Sequence, residues 1–125
     1  MSHFTTIDVQ VKDIVALHAA CQELGLDVVK KAEARGYGGQ RIAGDFIIRL
    51  NGPYDVALQL QPDGTYRLAA DLWQGHVEHE LGHGFGKLKQ LYGVHKATIE
   101  ARKRGLSVRR QTRADGIIRL ALCRT

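Results

Sequence analysis

The chain has 125 residues, of which 44% are hydrophobic and 25% charged, with two prolines, two cysteines and a formal net charge of +5. That size and balance fit one globular domain, residues 1–125, with a core large enough to need no disulfide or metal staple, and they leave little room for a disordered arm. No apolar run spans a bilayer and the opening Met1-Ser2-His3-Phe4 lacks the regions of a signal peptide, so a cytoplasmic protein without a membrane partner is expected.

Residues 4–11 alternate, with Ile7, Val9 and Val11 on one side, and predict a half-buried first strand. Asp13 can cap the following stretch, where Ile14, Leu17, Cys21 and Leu24 recur at helical spacing until Gly25. Further strands are predicted at 26–32, 45–50, 54–60 and 66–72, the last two joined as a hairpin by Pro62-Asp63-Gly64. Leu81, Phe85, Leu88, Tyr92, His95 and Ile99 share a narrow helical arc and predict a second helix to about Arg104. Nearby glycines leave its start open. The chain closes as another hairpin, with strands 106–112 and 117–122 around Arg113-Ala114-Asp115-Gly116. Cys21 and Cys123 are expected to be reduced and buried, and Trp73, between sheet and helix, to be a core or interface anchor.

The two halves share short matches. Gly25-Leu26-Asp27-Val28 corresponds to Gly105-Leu106-Ser107-Val108, and Asp45-Phe46-Ile47-Ile48-Arg49-Leu50 to Asp115-Gly116-Ile117-Ile118-Arg119-Leu120. Duplication and coincidence explain such matches equally well. A duplication makes each half strand, helix, strand, strand, with ten extra residues in the first half around Gly36-Tyr37-Gly38-Gly39. The expected fold class is α+β, an antiparallel sheet with two helices on one face.

His79-Glu80-Leu81-Gly82-His83 matches H-E-x-x-H, in which one helical turn presents two imidazoles to zinc and the Glu acts as base on a metal-bound water. The third ligand is missing: Gly86 fits the extended motif, but Lys89 stands where its final His belongs. On a continuous helix His95 lies about 160° from His79, so it cannot complete the set. His76, His79 and His83 would line one face, which gives a candidate surface metal site. Gly82, Gly84 and Gly86 each cost about 1 kcal/mol relative to Ala within a helix and could delay its start past His83, separating the imidazoles.

The net charge resides in the last 25 residues. Arg102, Lys103, Arg104, Arg109, Arg110, Arg113, Arg119 and Arg124 stand against Asp115 alone, leaving residues 1–100 at about −2. This basic surface suits phosphate or an acidic partner, without a recognisable RNA- or DNA-binding motif. Gly36-Tyr37-Gly38-Gly39-Gln40 lacks the Lys and Ser/Thr of a phosphate loop and reads as a mobile loop.

Several segments together carry a family resemblance: the opening Met1-Ser2-His3-Phe4-Thr5-Thr6-Ile7, Val11-Lys12-Asp13, Ala20-Cys21, Leu24-Gly25-Leu26, Asp71-Leu72-Trp73, Leu91-Tyr92 and Gly116-Ile117-Ile118-Arg119-Leu120. In these the chain resembles the uncharacterised Ycf thirty-five type family of chloroplast, cyanobacterial, bacterial and phage reading frames. The resemblance implies an intracellular accessory protein whose partner is a protein, with an AAA-type ATPase as the candidate, and it supplies no catalytic residue. The leading expectation is therefore a non-enzymatic binding or adaptor protein without a cofactor. The alternatives are a zinc hydrolase with Glu80 as catalytic base and a nucleic-acid-binding protein using the basic end.

Overall fold

The computed structural model describes residues 3–124, so Met1 and Ser2 of the opening segment lie outside the described residues. Strand β1 (Phe4–Val11) leads into helix α1 (Ile14–Glu23). The Asp13 carboxylate accepts the amide of Ala16 at 3.1 Å, as its spacing predicted, and the Tyr92 hydroxyl accepts the amides of Lys12 and Asp13, each at 3.1 Å. Strands β2 (Asp27–Arg35), β3 (Arg41–Arg49), β4 (Val56–Leu60) and β5 (Tyr66–Asp71) follow as an antiparallel meander, and β1 pairs with β5 to give the order β1-β5-β4-β3-β2. Helices α2 (His76–Leu81) and α3 (Gly86–Lys103) precede β6 (Leu106–Thr112) and β7 (Ile118–Arg124), which form a separate two-stranded sheet.

The α+β class and the antiparallel sheet with helices against it are as the sequence implied. One face of the sheet presents Ile48, Val56, Leu58, Leu68 and Ala70 to Leu17, Cys21, Val77, Leu81, Phe85 and Leu88 of the helical segments, forming the main core. Burial drives this assembly, with each enclosed Leu, Ile or Phe contributing about 1.5–3 kcal/mol. Among the described residues no helix is long and apolar enough to cross a membrane.

The opposite face is closed by the β2–β3 hairpin itself. Lys31 takes a positive φ of 46°, and at Gly44 an added Cβ would lie 2.8 Å from the Phe46 carbonyl oxygen and 3.1 Å from that of Leu58. The hairpin bends there, and Ala34 returns to bury Ile47 and Ala57 in a second apolar cluster. Its far end is locked by Asp55, which is fully buried. The Asp55 carboxylate accepts from the Arg35 amide and Nε, from Arg49 at 3.1 Å and from the Leu50 amide. Burial alone would raise this carboxyl, but the hydrogen bonds from Arg35 and Leu50 outweigh it and leave it below the ordinary carboxylate value.

Four expectations need correction. The glycine-rich segment 36–40 is a short turn between two nine-residue strands rather than a long mobile loop, because β2 and β3 run beyond the predicted 26–32 and 45–50. The second helix is divided: α2 ends at Gly82, whose φ of 85° and ψ of 162° no helix accommodates. The second hairpin does not join the main sheet as an exact duplication would require. Cys21 is buried and its thiol is pushed up to about 12 by burial, whereas Cys123 is exposed and both are free.

Candidate functional site

The break at Gly82 decides what H-E-x-x-H can do. His79 lies in the last turn of α2, whereas His83 opens a separate short turn and is fully exposed. A Cβ at Gly82 would meet the Lys87 amide nitrogen at 2.9 Å, so the glycine also sets the close approach of α3. The single helix face needed to align His76, His79 and His83 is therefore not formed. Among the described residues no group of three or more His, Cys, Asp or Glu is arranged to hold a metal ion.

Glu80 of the motif and its neighbour Glu78 are both held by local contacts. Glu80 accepts from the Asn51 amide at 2.7 Å, the Asn51 side chain at 3.0 Å and the Gly52 amide at 3.0 Å, fastening the β3–β4 loop to α2. A base needs a free lone pair directed at a reacting proton, and these oxygens are directed at the loop. Glu78 accepts from the Gly84 amide and approaches His83 Nδ1 at 3.4 Å. His95, the downstream histidine weighed as a third ligand, contacts Glu23 at 2.8 Å instead.

A different group of residues forms the most chemically distinctive surface. His3, Tyr37 and Trp73 make a three-ring cluster with centroids 5.0, 5.8 and 5.5 Å apart. Tyr37 is 46% and Trp73 45% exposed, so Trp73 is not in the core. The cluster rests on buried Asp71, which accepts the Tyr37 amide at 2.8 Å and the Trp73 amide at 2.9 Å. One carboxylate thus fixes two aromatic residues, Tyr37 and Trp73, that lie 36 positions apart in the chain.

The neighbouring backbone is unusual. Gln74 adopts φ 54° and ψ 18° and Gly75 φ 71° and ψ 14°, a type I′ turn that a non-glycine residue enters at a cost of about 1 kcal/mol or more. Beside it Tyr54 meets His76 edge-on at 5.2 Å, and burial together with the Asp71 carboxylate raises the Tyr54 phenol above its ordinary value. An open concavity of about 610 Å³ lies alongside, between Asn51-Gly52 and Gln74 to Glu80. Among the described residues of this surface no nucleophile is hydrogen-bonded to an activating base.

The chain matches the family described as "Protein of unknown function (DUF1257)" over residues 20–121. The chain belongs to this family. No curated protein and no solved structure matches it.

The predicted basic residues divide into two groups. Arg110 makes a bidentate ion pair with Glu23 at 2.9 and 2.6 Å, Arg113 pairs with Asp115 at 3.0 Å, and Lys103 is the partner of Glu100. Arg102, Arg104 and Arg109 are exposed and have no ion-pair partner among the described residues. Sequence reasoning did not find His3 or Tyr37 as site residues. The available signal was Tyr37 within a glycine turn and Asp71 directly before Trp73, and neither states that the two segments meet.

Proposed function

We propose that this protein is a non-enzymatic binding or adaptor protein that acts through protein contacts, with Tyr37 and Trp73 as its anchor. The observation carrying this reading is the half-exposed aromatic pair held in place by buried Asp71. Tyr and Trp dominate the energetics of interfaces because each contributes a large rigid surface with few torsions to freeze. The left-handed Gln74 beside them supports the same reading, since such conformations concentrate at binding surfaces. The likeness to the Ycf thirty-five type proteins supports an accessory role, and we propose an AAA-type ATPase as the partner class.

The test is affinity capture from the native cell extract with wild type, Trp73→Ala and Tyr37→Ala, each first shown to be folded. A partner retained by wild type and reduced about 30-fold or more by Trp73→Ala supports the proposal. Recovery of no partner, or equal recovery by all three proteins, overturns it.

A further inference from the structure

The hairpin β6–β7 stands apart from the main sheet as a two-stranded ribbon. Its register pairs Ser107 with Cys123, Arg109 with Ala121 and Gln111 with Arg119, so side-chain alternation puts these six residues on one face. All six are exposed. The other face carries Leu106, Val108, Ile118 and Leu120, each partly buried, together with exposed Arg110, Thr112, Leu122 and Arg124, and Ile118 packs against the main core.

The ribbon is held in a defined orientation. Arg110 grips Glu23 of α1, while the Gln90 side chain of α3 donates to the Gly116 carbonyl at 3.1 Å and accepts the Ile118 amide at 3.0 Å. Its outward face therefore has fixed geometry before any ligand arrives, which lowers the ordering cost of binding.

The composition of that face is selective. It presents two arginines and a glutamine with no carboxylate, and Arg109 and Arg119 form no ion pair among the described residues. Arg pairs bidentately with guanine and Gln with adenine in the major groove of B-DNA, which is about 12 Å wide and admits a two-stranded ribbon. At the base of the ribbon, Arg104 and Arg124 flank an open concavity of about 430 Å³ at Gly105, with exposed Arg102 nearby in sequence on α3. Guanidinium groups suit phosphate there, and their charge would steer a polyanion toward this end of a molecule whose first 100 residues sum to about −2.

We propose that the β6–β7 ribbon binds double-stranded DNA, placing Arg109, Gln111 and Arg119 against base edges in the major groove and Arg102 and Arg104 against flanking phosphates. Duplex RNA fits less well because its major groove is too deep and narrow for side chains to read. Single strands also fit less well, because this face has no aromatic ring on which bases could stack.

The test is fluorescence anisotropy of the full chain with a labelled 20-base-pair mixed-sequence DNA duplex, across a salt series. The expected result is binding that weakens as salt rises, with Arg109→Ala/Arg119→Ala at least tenfold weaker than wild type and shallower in its salt dependence. Lys87→Ala/Lys89→Ala removes equal charge from exposed sites at the start of α3 and is expected to change affinity less than twofold. Arg109→Lys/Arg119→Lys keeps the charge and is expected to retain salt dependence while losing preference among duplex sequences. Circular dichroism establishes that each variant is folded. Absence of salt-dependent DNA binding, equal losses in the two double-alanine variants, or equal or tighter binding to RNA or single-stranded DNA would overturn the proposal.

Discussion

Ile47 and Ile117 hold equivalent places in the two Asp-x-Ile-Ile-Arg-Leu segments, yet Ile47 is fully buried and Ile117 is 50% exposed. The neighbouring arginines differ in the same way: Arg49 reaches Asp55 at 3.1 Å and the Glu33 carbonyl at 2.8 Å, whereas Arg119 points outward with no ion-pair partner among the described residues. The longer arms of β2–β3 explain the contrast. Their extra residues let the hairpin bend at Lys31 and Gly44 and lay Ala34 over Ile47, while the shorter β6–β7 has nothing to fold back with. Similar local sequence thus produced one hairpin that completes a core and one that presents a surface.

The sharpest way to break this contrast is to remove Asp55. Asp55→Ala leaves Arg35, Arg49 and the Leu50 amide without their buried acceptor, and chemical denaturation should show a loss of about 3–5 kcal/mol. Next comes the matched pair of isoleucines. Ile47→Ala should cost about 2–5 kcal/mol. Ile117→Ala should stay within about 0.5 kcal/mol, and comparable losses would remove the claimed difference in burial. Gly44→Ala should cost about 1–3 kcal/mol because its Cβ would press on two carbonyl oxygens at the bend. The smallest global effect belongs to Glu23→Gln, at about 0.2–1 kcal/mol for a partly exposed pair, with faster amide exchange confined to residues 106–112 and 118–124.

Acid should loosen both hairpins. The Arg110 hydrogen bond is the largest influence on Glu23; burial opposes it, His95 adds to it, and the carboxyl is lowered from 4.5 to about 2. Because the folded value lies below the unfolded one, this contribution is complete above about pH 4.5 and is lost as pH falls toward 2. Asp55 is also lowered, so its contribution likewise disappears on the acid side of its ordinary 3.8. Ribbon amide exchange that stayed constant through this range would contradict the Glu23–Arg110 attachment.

Much of the architecture could be read from local patterns. Asp13, Gly25, the Pro62-Asp63-Gly64 turn and the alternating apolar positions mark boundaries through short-range physics, and those elements form where expected. The Gly82 break was readable only as a competition between glycine cost and helical periodicity. Its outcome depended on the approach of Lys87, while Glu80 was engaged by Asn51 and Gly52, which lie 29 and 28 residues away. The aromatic surface was less accessible still, because a bend at Lys31 and Gly44 had to carry Tyr37 across the molecule before Asp71 could hold it beside Trp73.

The same arrangement gives the protein an optical property. Trp73 is the only tryptophan in the chain and sits 45% exposed within the ring cluster, so intrinsic emission reports chiefly on that surface. A protein partner that covers the cluster would shift this emission to the blue, whereas a ligand confined to the β6–β7 ribbon, which contains no aromatic residue, would leave it in place. The colour of one unlabelled sample therefore reports whether the aromatic surface is covered, independently of the ribbon.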